Sequence, residues 1–91
     1  MMKRYILDFS ASRSAADMHA VIARVCSFPP HYGANLDALW DCLSGDLETP
    51  AEFIIQGRKT AEKNSAAASG FFSLLDEYAS ENPDELKLVY R

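Results

Sequence analysis

Two cysteines, four glycines, four prolines and one tryptophan are few for a chain of 91 residues, and each scarcity closes off a class of protein. Cys26 and Cys42 form no CxxC pair and have no histidines at zinc-ligand spacing, so no structural metal site is expected. Both fall within helical patterns, where a free thiol packs as a small hydrophobe. Low glycine and proline, with 48% hydrophobic and 24% charged residues, exclude disordered and fibrous proteins. No run approaches the ~20 apolar residues that a membrane span requires. The start, "MMKRYILDFSASRS", has basic residues but only a scant apolar stretch, which Asp8 interrupts. It does not read as a secretory signal, and a cytoplasmic protein is expected. The length suits one domain, residues 1–91, burying a little over ~60% of the surface its unfolded chain exposes.

Positive charge is also missing from a long stretch. Between Arg24 and Arg58 there is no Lys or Arg, while Asp37, Asp41, Asp46, Glu48 and Glu52 all fall there. The net charge of −4 therefore comes from one acidic block in an otherwise nearly neutral chain. Nucleic-acid binding needs Lys and Arg to neutralise phosphates, so DNA or RNA is not the expected partner. The complement of such a block is a cationic protein surface.

Residues 3–9 (KRYILDF), 51–56 (AEFIIQ) and 85–91 (ELKLVYR) have the β-branched, aromatic or alternating character of strands. "SAADMHAVIARVC" opens with Ser14 as a cap, has Asp17 three residues on, and places Met18, Ile22 and Val25 on one face. Pro29 and Pro30 are expected to end that helix. Gly57 marks a turn, followed by one or two helical turns in "RKTAEKN". "AAASGFFSLLDEYASEN" then carries a stripe of Phe71, Leu74, Leu75 and Tyr78. Asn82-Pro83-Asp84 turns the chain into the last strand. Strands separated by helices imply an α/β fold with a parallel sheet and right-handed crossovers.

The densest chemistry lies in "HYGANLDALWDCLSG", residues 31–45. At about 100° per residue, with Leu36 at zero, Leu39, Trp40 and Leu43 fall within roughly 60°, while Asp37, Asp41 and Ser44 gather between roughly 80° and 140°. The helix is expected to bury its leucines and present acid. Asn35 can cap its first turn, and Asp37 gains from the macrodipole there. Asp41 has no such excuse: it lies mid-helix with no Lys or Arg at i±3 or i±4, and like charges four apart repel by about 0.2–0.5 kcal/mol. A broken local rule of this kind marks a functional residue. The "HYGAN" lead-in is expected to bring His31 and Tyr32 beside the acidic face, with Gly33 allowing a close backbone approach.

This run resembles the binding segment of the barstar family, intracellular inhibitors of barnase-type secreted ribonucleases. The family carries Tyr-Tyr-Gly-x-Asn-Leu-Asp-Ala-Leu-Trp-Asp-Cys-Leu-Thr-Gly at the equivalent place, and the likeness of pattern extends over the whole chain. The resemblance implies a small three-stranded parallel sheet packed with helices. It also implies a protein that plugs a ribonuclease active site one to one, is monomeric when free, and uses no cofactor or metal. Asp41 then stands for the central carboxylate that enters where a substrate phosphate would bind, with Asp37 its companion and Glu77 a further acidic contact. Gly33, Asn35, Leu36, Trp40, Ser44 and Gly45 would line or shape the contact surface, and Thr49-Pro50 matches a cis proline.

Two positions depart from the family pattern. His31 stands where the family has a contacting tyrosine, and Asp46 where it has a tryptophan. A second reading therefore keeps the fold and acidic helix but directs them at a different basic protein. A third, an enzyme using paired carboxylates, would need an acid and a base flanking a cleft; two carboxylates on one exposed helix face do not provide that.

Overall fold

The strands of this protein find their partners only across long stretches of chain. The computed structural model describes residues 2–91, in the order β1 (Lys3–Asp8), α1 (Ala15–Cys26), α2 (Leu36–Gly45), β2 (Ala51–Gln56), α3 (Arg58–Asn64), α4 (Ala68–Glu81) and β3 (Leu86–Tyr90). The sheet is parallel, in the order β1-β2-β3, with Tyr5 opposite Phe53 and Phe53 opposite Leu88. When strand order follows the chain and each crossover is right-handed, the connecting helices fall on the same side. Accordingly α1 packs on β1, α4 packs on β3, and the two helices touch each other.

Alternation along the strands follows from that one-sided cover. Tyr5, Leu7, Ala51, Phe53, Ile55 and Leu86 point into the core. On the other face, Arg4, Glu52 and Lys87 stand in register, with Arg4 Nε 3.0 Å and Lys87 Nζ 3.9 Å from the Glu52 carboxylate. Beside them Ile6 is 60% exposed. The centre of the core is aromatic. Phe9, Phe71 and Phe72 meet edge to face at 5.3 to 5.5 Å, with Met18, Ile22, Leu39, Leu43 and Leu75 around them. Burying residues of this size contributes roughly 1.5–3 kcal/mol each.

Local signals set the helix starts. Ser14 Oγ accepts from the Asp17 amide, and the Asp17 carboxylate reaches back to the Arg13 amide at 2.9 Å, one residue before the cap. The end of α1 differs from expectation. Ser27 takes a left-handed conformation (φ 55°), and the Phe28 amide bonds Ala23 C=O at 2.9 Å, so the helix is closed by a left-handed cap before the prolines are reached. Two core stripes also differ from expectation by one member each. Cys26 is buried where Val25 is only half-buried, and Phe72 is buried where Leu74 is half-buried. The first strand stops at Asp8, one residue short of Phe9. The Thr49–Pro50 bond is cis. Gly57 has φ +78°, and a Cβ there would come within 2.5 Å of Ser10 N, so only glycine lets the β1 and β2 exits pass.

Candidate functional site

The site is built on α2, and α2 is held at both ends and along its inner face. At its start Asn35 Oδ1 accepts from the Ala38 amide at 2.8 Å, the cap expected from sequence. The same side chain donates from Nδ2 to Gly33 C=O at 3.4 Å. Gly33 has no left-handed φ; its service is space, since a Cβ there would press to 3.3 Å from Asn35 Nδ2. The strained residue of the loop is Ala34, with φ 52°, a conformation that costs a non-glycine residue roughly 1 kcal/mol or more.

Along the inner face Leu39 and Leu43 are fully buried. The half-buried Trp40 sets its ring edge-on to Tyr78 of α4, centroids 4.9 Å apart, and the Tyr78 hydroxyl donates to Leu43 C=O at 3.2 Å. Trp40 is thus a strut between α2 and α4 with one edge at the surface. Leu36 is a correction to the helical-wheel expectation: it is 42% exposed. It stands at the first turn, where α2 leaves the core, with Gly70 of α4 close by.

Asp37 and Asp41 are both exposed, and among the described residues neither makes an ion pair. Ser44, exposed one turn on, donates from Oγ to Asp41 C=O at 3.1 Å. Glu77, on α4 one residue before the Tyr78 that packs on Trp40, is also exposed and makes no ion pair among the described residues. Gly45 has no neighbour within 4 Å of a built Cβ, so nothing inside the chain requires glycine there.

Asp46, just past α2, lines an open groove with Lys3, Tyr5, Cys26 and Glu48. Its carboxylate lies beside Cys42, whose thiol is pushed up to about 11, first by burial and then by Asp46, with Asp41 a further acidic neighbour. Burial alone pushes Cys26 up to about 12. Tyr32, by contrast, is not beside the acidic face. It turns inward, 5.2 Å from the Phe28 ring, and its hydroxyl bonds His19 Nδ1. His31 stays exposed in the loop.

The His19–Tyr32 pair escaped the sequence reading. Its signal was present, because His19 shares the buried side of α1 with Met18, Ile22 and Cys26, but a histidine in an apolar stripe does not announce its partner 13 residues away. His19 is 3% exposed, and burial lowers its pKa from the ordinary 6.5. Among the described residues no group of three or more His, Cys, Asp or Glu could hold a metal ion. None of the helices there is long and apolar enough to cross a membrane.

A one-sided α/β domain that fixes a helix rigidly and leaves its carboxylates unpaired has the makings of an acidic binding module. Comparison with known proteins agrees: the family model described as Barstar (barnase inhibitor) matches residues 2–91, and the chain belongs to the barstar family. It is also similar to the curated protein "Putative ribonuclease inhibitor YrdF" of Bacillus subtilis (strain 168), 28% identical over 89 residues, which cover 97% of this chain and 98% of that protein.

Proposed function

We propose that this protein inhibits a barnase-type microbial ribonuclease by seating the acidic face of α2 in the enzyme's cationic active site. One observation carries the reading: Asp37 and Asp41 stand exposed and unpaired on a helix that capping, buried leucines and the Trp40–Tyr78 strut hold in place. Carboxylates fixed in this way imitate the charge of RNA phosphates. They accept charge-assisted hydrogen bonds from arginine, whose fork suits a carboxylate bidentately. Asp41 is assigned the central contact and Asp37 the companion, with Glu77 a second acidic point across the α2–α4 edge. Leu36 and the outer edge of Trp40 supply apolar area beside them, as interface anchors do. Their mutual repulsion is relieved when cations fill the face, and the inhibitor performs no chemistry of its own.

The natural setting of such an inhibitor is the cytoplasm of the cell that makes the enzyme, where it acts one to one as a monomer. Titration into activity assays of several barnase-type ribonucleases tests the proposal. Stoichiometric inhibition that Asp41→Ala abolishes is expected; no inhibition of any of them overturns the ribonuclease assignment. In that case another basic protein becomes the target, a reading favoured by His31 and Asp46, which stand where the family has a tyrosine and a tryptophan.

A further inference from the structure

Between the starts of α1, α2 and α4 lies a cleft of about 250 Å³, lined by Ala15, His19, Ala34, Asn35, Leu36, Ala67 and Phe71. Its walls are three alanine methyls, a leucine and a phenylalanine, with no charged side chain among them. Its polar side chains are Asn35, already bonded to Gly33 C=O and the Ala38 amide, and His19. Tyr32 takes Nδ1, while Nε2 has no hydrogen-bond partner among the described residues. No sealed-in side-chain nitrogen or oxygen there lacks a partner, so Nε2 opens on the cleft. If Tyr32 donates to Nδ1, no phenolic proton is wasted, and the imidazole then carries its own proton on Nε2, as a donor aimed into the cleft.

The backbone adds to this donor. Helix starts present unsatisfied amides and the positive end of a dipole. Those of α1 and α2 are capped by Ser14 and Asn35, but α4 has no side-chain cap at Ala67. Of that helix, Ala67 before its first turn and Phe71 within it line the cleft. A small apolar cleft whose donor is an imidazole N–H, with the positive end of α4 nearby, suits one chemical class.

We propose that this cleft is a binding site for a carboxylate on a short aliphatic stem, separate from the Asp37 and Asp41 carboxylates although Leu36 borders both, and independent of whether the partner is a ribonuclease. The stem lies against Ala15, Ala34, Ala67, Leu36 and Phe71, and the carboxylate accepts from His19 Nε2. Two sources offer this group, a free monocarboxylic acid and a glutamate side chain of a bound protein.

The test follows the His19 ring signals by NMR while the intact protein is titrated at constant ionic strength. Butyrate is the probe, and neutral butyramide the control. Saturable shifts of His19 with butyrate in the millimolar range, absent with butyramide, are expected. Ala67→Leu, which fills the cleft and crowds out the stem, should weaken the response by about tenfold or more. His19→Gln, which keeps an N–H donor near the Nε2 position, should retain butyrate-dependent shifts in the Ala34 and Ala67 methyls. A parallel titration with N-acetylglutamate N-methylamide separates the sources. Tighter binding than butyrate assigns the cleft to a protein side chain, and equal or weaker binding assigns it to a free acid. Equal shifts with butyrate and butyramide overturn the site. So does an undiminished response in an Ala67→Leu variant with unchanged melting temperature, or no saturation at all.

Discussion

Of the five acids in the stretch without Lys or Arg, two are paired by the fold and three, Asp37, Asp41 and Asp46, make no ion pair among the described residues. Glu48 and Glu52 come to the sheet, where the chain's own cations meet them: Lys3 Nζ lies 3.3 Å from Glu48, while Arg4 and Lys87 flank a Glu52 side chain only 12% exposed. Asp37 and Asp41 sit on α2, which no basic residue reaches. The cations that neutralise the sheet acids come from β1 and β3, distant in sequence and adjacent only through strand register. Proximity in sequence therefore says little about which acids are free.

The sharpest way to break that contrast is Asp41→Ala. It should weaken the ribonuclease complex by roughly 3–5 kcal/mol, because it strands desolvated cations on the enzyme. Folding stability should hold or rise slightly, as repulsion with Asp37 is relieved. Isothermal titration beside a urea melt reads both, and a large drop in melting temperature would move Asp41 to the structural group.

Acidification comes next, since it strikes the loop that carries α2 rather than the acids themselves. Burial depresses the pKa of His19 in the folded state, so below the ordinary 6.5 the unfolded chain takes up a proton that the folded one resists. This contribution to stability is complete above 6.5 and is lost as pH falls from there toward the folded-state value. Urea midpoints followed from pH 7.5 downward should decline more steeply for the natural protein than for His19→Gln.

Removing the α2 cap by Asn35→Ala should cost about 1 kcal/mol of stability. It also frees Gly33 C=O, and so loosens the presentation of Asp37 at the first turn. The smallest effect belongs to the sheet: Glu52→Gln should change stability by ~1 kcal/mol or less, since Arg4 and Lys87 are largely exposed. Inhibition should be untouched. If Glu52→Gln weakened the complex as much as Asp41→Ala does, the distinction between paired and unpaired acids would fail.

Much of this was legible in the chain because its signals are local. The caps at Ser14 and Asn35, the apolar stripes and the acidic face of α2 are patterns within one or two turns, and the three strands stand out by composition. Leu36 misled because a wheel gives direction but not depth, and the first turn of α2 projects beyond the core. The inward turn of Tyr32 depends on His19, the placement of Asp46 on the path of the chain after α2, and the left-handed Ala34 on the tension of a short loop. None of these is a periodic signal. The closing of α1 at Ser27 shows the same limit, since a left-handed cap ended the helix before the conspicuous prolines could.

The sheet register ties Lys3 to Ala51 and Ala51 to Leu86, while the strut behind α2 comes from Tyr78. During synthesis the acid-bearing segment emerges before β2, before Tyr78 and before β3, the parts that fix it. Until Tyr78 has emerged and packed against Trp40, α2 lacks its strut, so under the proposed function the acidic face becomes a rigid binding surface only after α4 is made.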